Sequence, residues 1–181
     1  MNDRNERRKI TLPLTEDVAV SLKAGEAVSL SGTIYAARDE AHEKLIELIE
    51  KGEELPFPIK DATVYYVGPA PAKPGQVIGS AGPTTSGRMD VYTPPLIERG
   101  LRGMIGKGER DDRVIEAIKA HKAVYFGAVG GAGALLAKCI TSQKVLAWPE
   151  LGPEALRELK VEEMPLIVVI DTEGHDLYKD H

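Results

Sequence analysis

The sequence predicts an α/β fold in which helices flank a mixed sheet. In the second half of the chain, short apolar runs alternate with amphipathic segments, and the connections between them are short. This alternation favours a layered domain with a partly parallel sheet. The first half has more predicted strands per helix, which a mixed sheet or two small packed sheets would explain. Because 181 residues with 43% hydrophobic content can bury one core, we expect residues 1–181 to form a single domain.

In the first half, strands are predicted where apolar and small polar residues alternate. These segments are residues 10–14, 27–36 and 62–67. A helix is expected over residues 40–52, with Asp39 as its N-cap, because an Asp side chain accepts a hydrogen bond from a free N–H of the first turn. Residues 68–75 are rich in proline and glycine and predict a loop, and residues 77–78 predict a short strand.

The second half begins with a predicted helix from Arg88, which Pro94 and Pro95 interrupt and Gly100 ends. Periodicity then predicts the remaining elements. They are a strand at 101–106, a helix at 110–121, a strand at 123–128, a helix at 134–139, a strand at 144–147, a helix at 153–159 and a buried strand at 164–171. The helix at 153–159 is expected because proline is favoured in the first turn of a helix.

The composition excludes several classes of protein. Lys and Arg number 23 against 28 Asp and Glu, and the net charge of −5 argues against nucleic acid as a partner. The single cysteine, Cys139, excludes an internal disulfide and any metal or iron–sulfur site built from several thiolates of this chain. No apolar stretch approaches the roughly 20 residues of a membrane span, and no secretory signal is visible, so we expect a cytoplasmic protein.

Three cationic residues occupy predicted strand ends or helix starts. Arg38 lies between a strand and a helix, Arg88 follows the hydroxyl-rich stretch of residues 82–87, and Lys107 stands between two glycines at the end of a strand. Connections at one edge of an α/β sheet are where ligands usually bind. Two Arg and one Lys at such an edge of an acidic protein predict a site for a small polyanion such as a dicarboxylate.

Each of these features also has a local structural explanation. Arg38 could form an ion pair with Asp39 or Glu40, and a Thr or Ser at a helix N-cap would account for the hydroxyls. Lys107 could be a solvated side chain in a turn. From the residues alone, these explanations remain open beside the ligand site.

A glycine-rich segment supports a different class of function. Residues 127–133 follow a predicted strand and open a helix, and Glu150 stands about where the ribose-binding acid of a dinucleotide fold belongs. Leu136 occupies the position of the third glycine, and close packing of helix on strand explains the small residues equally well. A nucleotide-binding oxidoreductase module is therefore an alternative.

Several strings of the sequence, taken in order, resemble one enzyme family. They are GPTTSGRMD at 82–90, GMIGKG at 103–108, ARDEAH at 37–42 and ELGPEA at 150–155, the last followed by the strand at 164–171. Together they resemble the C-terminal region of class I iron–sulfur fumarate hydratases and the β subunit of the related L-tartrate dehydratases. The likeness covers nearly the whole chain, and it is to the β chain only of the members that are split into α and β subunits.

The resemblance implies a swivelling β/β/α domain and a hydro-lyase that reversibly hydrates fumarate to L-malate, or alternatively dehydrates L-tartrate. It implies a [4Fe–4S] cluster held by three cysteines of a partner α subunit, which this chain would need for activity. By the same resemblance Arg38, Arg88, Lys107 and Thr85 bind the dicarboxylate substrate and Thr84 is the candidate proton-transfer group. His42 matches the family pattern without an assigned role, and homodimerisation stays open. A non-catalytic stabilising subunit is a further alternative.

Overall fold

The structure, a computed structural model, describes residues 6–128 and 133–179. Within those residues the chain forms strands, α-helices and two short 3-10 helices. Their bounds are β1 (Arg8–Thr11), α1 (Glu16–Ser21), β2 (Ala27–Ala36), α2 (Asp39–Glu50), β3 (Thr63–Tyr65), a 3-10 helix (Ser86–Met89), α3 (Thr93–Glu98), β4 (Gly103–Gly106), α4 (Asp112–His121), β5 (Val124–Ala128), α5 (Gly133–Ala137), β6 (Ile140–Ala147), a second 3-10 helix (Pro149–Glu154) and β7 (Leu156–Ile170).

All of these strands belong to one mixed sheet, as the sequence predicted. Strands β1 to β5 are neighbours in chain order and run parallel to one another. Strand β7 is antiparallel to β5, β6 and β2. Because β7 pairs with β2 as well as with β5, five strands (β2, β3, β4, β5 and β7) close into a barrel-like ring, while β1 and β6 flank it. The sequence did not predict this closure.

Alternation along the central strands divides the core between two faces of the sheet. One hydrophobic cluster includes the buried residues Tyr65, Ile105 and Phe126. The other includes their neighbours Val64 and Met104, together with apolar residues of helices α2, α3 and α4. Helices α2, α3 and α4 therefore cover one face of the parallel strands, whereas α1 and α5 contribute Ala19 and Leu136 to the other cluster.

Four local predictions were wrong. Pro94 and Pro95 do not interrupt a helix that starts at Arg88: they lie in the first turn of α3, which begins at Thr93 after a separate 3-10 helix. Asp39 is the first residue of α2 and not its N-cap; Arg38 occupies the N-cap position without a capping side-chain hydrogen bond. Residues 77–78 form no strand. The predicted helix at 153–159 is replaced by a 3-10 helix that ends at Glu154 and by the start of β7 at Leu156. Pairing of this segment with both β2 and β6 overrides its local helix preference.

Among residues 6–128 and 133–179, the structure contains no helix that combines the length and the apolar character needed to cross a membrane.

The barrel core provides a direct test of this packing. Phe126 is 0% exposed, so Phe126→Ala should lower the free energy of unfolding by about 3–5 kcal/mol through lost contacts and a residual cavity. Val91 is 58% exposed, and Val91→Ala should change it by less than about 0.5 kcal/mol. Urea denaturation of both variants measures the difference. Equal effects of the two substitutions would contradict the described core.

Candidate functional site

The carboxyl ends of β2, β3 and β4 meet at one edge of the sheet. These strands are parallel neighbours, so the segments that follow them leave in the same direction. Ala37, just after β2, donates its N–H to the carbonyl of Tyr65 (3.1 Å), and Tyr66, just after β3, donates to the carbonyl of Ile105 (2.9 Å). The three segments that carry the predicted cations and hydroxyls are therefore in direct contact at their starting points.

Arg38 lies at this edge, between β2 and α2, and is half-buried. It packs against Gly68, where an added Cβ would come within 2.7 Å of the Cδ and Nη1 atoms of Arg38. The Nε of Arg38 is buried without a hydrogen-bond partner among the described residues. In residues 6–128 and 133–179 no carboxylate lies within ion-pair distance of its guanidinium, so the local pair with Asp39 or Glu40 is not formed. Arg38 therefore forms no ion pair with a described carboxylate, although its charge still acts on the neighbouring Asp39.

Asp39 is instead bound by Arg88. The Nε of Arg88 donates to Oδ2 of Asp39 (2.9 Å), and its Nη2 donates to Oδ1 (3.1 Å). This two-pronged contact joins the 3-10 helix at Ser86–Met89 to the start of α2. Burial alone would raise the pKa of Asp39, but the hydrogen bonds from Arg88 and the charges of Arg88 and Arg38 lower it below its usual value. Asp39 is therefore ionised at neutral pH and holds Arg88 close to Arg38.

Residues 82–87, which we call the hydroxyl loop, cross the ends of β3 and β4. The N–H of Thr84 donates to the carbonyl of Tyr66 (2.7 Å), and the N–H of Ser86 donates to the carbonyl of Lys107 (2.8 Å). Thr85 pairs with Lys107 through a parallel β-bridge. Thr85 is the N-cap of the following 3-10 helix but makes no capping hydrogen bond with its side chain. Helix capping therefore does not account for these hydroxyls.

Two further groups of the edge are available to a ligand. Lys107 is exposed directly after β4, and in the part of the chain that the structure describes its ammonium has neither an ion-pair nor a hydrogen-bond partner. Thr84 is half-buried, and its hydroxyl likewise contacts no described donor or acceptor. The edge therefore brings together the five predicted residues, and two of its three cations, Arg38 and Lys107, form no ion pair with a described carboxylate. These residues are Arg38, Thr84, Thr85, Arg88 and Lys107.

The sequence reasoning missed a buried arginine beneath the hydroxyl loop. Arg110 is 2% exposed, and its Nε donates to Oδ1 of Asp90 at 2.6 Å. Its Nη2 donates to the hydroxyls of Tyr66 (3.1 Å) and Thr93 (3.0 Å). The guanidinium also lies 5.1 Å from the ring centre of Tyr66 and 4.8 Å from that of Tyr125. We call these five residues the buried arginine cluster; the signal for it was Asp90, which closes the string at 82–90.

His42 is a buried residue that contacts the backbone of Arg38. The ring is fully buried, and its Nδ1 lies 2.7 Å from the carbonyl oxygen of Arg38, so Nδ1–H donates to that oxygen. The ring packs against those of Tyr66 and Tyr92. Burial lowers the pKa of His42 to about 4, and the charge of Arg110 acts in the same direction. His42 is therefore neutral near pH 7 and holds the backbone of Arg38 in place.

The residues of this chain do not fit an iron–sulfur cluster. A cubane cluster is held by several thiolates, and Cys139 is the only cysteine in the sequence. Across residues 6–128 and 133–179, no three His, Cys, Asp or Glu side chains are grouped so as to hold a metal ion.

The glycine segment of the alternative function is only partly described. Residues 129–132 lie outside the described residues. At Gly133 an added Cβ would collide with the Oγ of Ser80, which favours the explanation by close packing. Glu150 is exposed within the second 3-10 helix.

The fold and the edge together define a mixed α/β domain that presents two arginines, a lysine and two threonine hydroxyls at the carboxyl ends of parallel strands. The model of the family described as "Fumarase C-terminus" matches residues 1–181. The chain belongs to this family.

Similar proteins include both long and short chains. "Fumarate hydratase class I, aerobic" of Escherichia coli is 44% identical over 154 residues, which are 84% of this chain and 28% of that protein. "Fumarate hydratase 2" of Leishmania major is 43% identical over 156 residues, 85% of this chain and 28% of that protein. A Methanocaldococcus jannaschii protein with the provisional name L(+)-tartrate dehydratase subunit beta is 38% identical over 173 residues, 92% of this chain and 89% of that protein. The chain thus spans less than a third of the first two relatives.

The neutral, buried His42 predicts a specific pH dependence of stability. Its folded pKa of about 4 is below the usual 6.5 of an unfolded chain, so the unfolded state binds more protons between these values. The contribution of His42 to the free energy of unfolding is therefore fully present above pH 6.5. It decreases as the pH falls towards 4, by roughly 3 kcal/mol in total. His42→Asn, which can still donate to Arg38 but does not titrate, should remove this part of the slope.

Urea denaturation of both proteins between pH 4 and pH 7.5 measures this slope. Parallel curves of unfolding free energy against pH for the two proteins would contradict the assignment of a neutral His42.

Proposed function

We propose that this chain is the β subunit of a [4Fe–4S]-dependent hydro-lyase that interconverts fumarate and L-malate, with L-tartrate as the alternative substrate. Family membership supports a hydro-lyase, because the relatives carry the names fumarate hydratase and tartrate dehydratase. The observation that carries the proposal is the edge itself, where Arg38, Arg88 and Lys107 gather beside Thr84 and Thr85.

In this proposal the edge binds the two carboxylates of the substrate. Arg38 and Lys107 carry charges that no described carboxylate neutralises, so an incoming dianion compensates them without first breaking an ion pair. Arg88 already holds Asp39 in a two-pronged contact and offers the planar donor geometry that carboxylates prefer. We infer that the substrate shares or replaces the Asp39 contact. The exposed hydroxyl of Thr85 completes the set with an uncharged donor.

Thr84 is the proposed proton-transfer group. Its backbone is fixed by the bond to Tyr66, while its hydroxyl is left without a described partner. A threonine hydroxyl is a weak base at its ordinary pKa, so this role needs activation by neighbouring groups of the assembled enzyme. The other residues contribute by binding and orienting a dianion, which lowers the entropic cost of reaching the reactive arrangement.

An α subunit is the proposed partner and the proposed holder of the cluster. With one cysteine, this chain cannot supply three thiolate ligands. The Escherichia coli relative matches this chain over only 28% of its length, and the Methanocaldococcus jannaschii relative, whose printed name calls it a subunit, matches over 89%. Both observations support a chain that forms one part of a larger active site. The exposed positions of Arg88 and Lys107 are consistent with an edge that such a partner covers.

We further propose that residues 1–181 act as one domain of the swivelling β/β/α type in the cytoplasm. The mixed sheet and the helices on one face of its parallel strands support this type of domain. A swivelling motion would open and close the cationic edge over the partner's cluster.

Substitution at the edge should weaken substrate use by the reconstituted enzyme. Arg88→Ala removes a charge-assisted contact and should lower kcat/KM by roughly 10- to 100-fold, which corresponds to about 1.5–3 kcal/mol. Lys107→Ala should act in the same direction. Steady-state rates of the anaerobically assembled α/β enzyme with fumarate, malate and tartrate measure the effect and identify the substrate.

Arg99→Ala is the matched control, because Arg99 is an exposed arginine that precedes β4 and lies at the opposite end of the parallel strands. Its kinetics should equal those of the unmodified enzyme. If Arg88→Ala and Arg99→Ala behaved alike, the cationic edge would not be the substrate site.

A further inference from the structure

A buried tyrosine hydroxyl connects the hydroxyl loop to the turn that carries Lys107. We propose that Tyr125 is a positioning residue, which fixes Lys107 relative to the threonines of the loop and so sets the affinity for the dianion. This inference rests on the proposed function and adds to it a residue that does not itself touch the substrate.

The geometry of the hydroxyl is fully determined by its two neighbours. The Tyr125 Oη donates to the carbonyl oxygen of Gly108 at 2.8 Å, because a carbonyl can only accept. Its single proton is thereby used, so the Oγ of Ser86, 2.7 Å away, must donate to it. Gly108 follows Lys107 in the chain, and Ser86 follows Thr85. The Tyr125 oxygen therefore links Ser86 to Gly108, which are the chain neighbours of two proposed substrate-binding residues.

Ser86 packs closely against the end of β4. Ser86 lies so near the end of β4 that a Cβ at Gly106 would collide with its Oγ. The N–H of Ser86 also donates to the carbonyl of Lys107 at 2.8 Å, which gives the two segments a second connection. Loss of the Tyr125 hydroxyl would leave this backbone bond but remove both side-chain bonds. We therefore expect the segments to stay near each other and to lose their fixed separation.

The buried arginine cluster holds the tyrosine ring in place. The guanidinium of Arg110 lies 4.8 Å from the centre of the Tyr125 ring, and Asp90 fixes that guanidinium at 2.6 Å. The ring is 0% exposed and belongs to the hydrophobic cluster that contains apolar residues of α2, α3 and α4. Burial raises the pKa of Tyr125 although the bond from Ser86 opposes this, so the hydroxyl stays protonated near pH 7. Tyr125→Phe would keep the ring, its packing and its contact with Arg110, and would remove the oxygen alone.

The test is a double-mutant cycle in the assembled α/β enzyme, with Tyr125→Phe, Lys107→Ala and the two combined. Tyr125→Phe should raise KM for the dicarboxylate about tenfold, as expected for two lost hydrogen bonds, with a much smaller change in kcat. In the Lys107→Ala background the same substitution should raise KM less than about twofold, because its effect acts through Lys107. A merely structural loss would be additive, and an additive result overturns the inference.

Matched controls separate the possible failures. Tyr35→Phe removes the hydroxyl of another buried tyrosine, whose ring packs against that of Phe57, and should leave KM unchanged. If Tyr125→Phe does not fold, Ser86→Ala removes one of the two bonds and takes its place in the cycle. An effect of Lys107→Ala without an effect of Tyr125→Phe overturns this inference alone. No effect of Lys107→Ala overturns the proposed function and this inference together.

Discussion

Parallel pairing of β2, β3 and β4 is the constraint on which the rest of the site depends. Because these strands run side by side in the same direction, the segments after Ala36, Tyr65 and Gly106 must leave from one edge. Residues that are far apart in sequence, such as Arg38 after β2 and Lys107 after β4, are thereby brought to the same edge, two strands apart. The antiparallel strand β7 closes the ring by pairing with β2 and β5, and this closure holds the two strands on either side of β3 and β4 in fixed positions.

Charge is distributed over this edge in two different ways. The buried pair of Arg110 and Asp90 is costly to desolvate, and it persists because Tyr66, Thr93 and the backbone N–H of Asp111 supply further hydrogen bonds. That cation is fully engaged and acts as part of the core. Arg38 and Lys107 form no ion pair with a carboxylate of the described residues, and Arg88 is paired with the half-buried Asp39. These three cations lie near the surface, where a ligand can reach them, whereas Arg110 is buried.

Much of the fold could be predicted from local patterns. Strand β2 was predicted with its observed bounds, because apolar and small polar residues alternate over much of its length and both of its ends are marked by turn or helix signals. The segment at 153–159 was predicted wrongly, because its fate is decided by pairing with β2 and β6, which are distant in sequence. The closure of the ring depends on the same long-range pairing and has no local signal.

The site likewise has parts that local patterns predicted and parts that depend on long-range contacts. The gathering of Arg38, Arg88 and Lys107 followed from their positions at strand ends, and their roles towards a substrate stay predictions. The partner of Asp39 could not be read from the sequence, since a neighbouring Arg38 looked as suitable as the distant Arg88. Arg110 was missed because a buried arginine looks, in sequence, like any charged residue before a helix.

If one edge of this sheet recognises both carboxylates of a small dianion, a crystal structure of the assembled α/β complex with a bound dicarboxylate should show it there. Carboxylate oxygens should then lie within about 2.7–3.2 Å of the side-chain nitrogens of Arg38, Arg88 and Lys107. A dicarboxylate bound on another face of this chain, or held by the partner alone with these three side chains turned away, would contradict recognition by this edge.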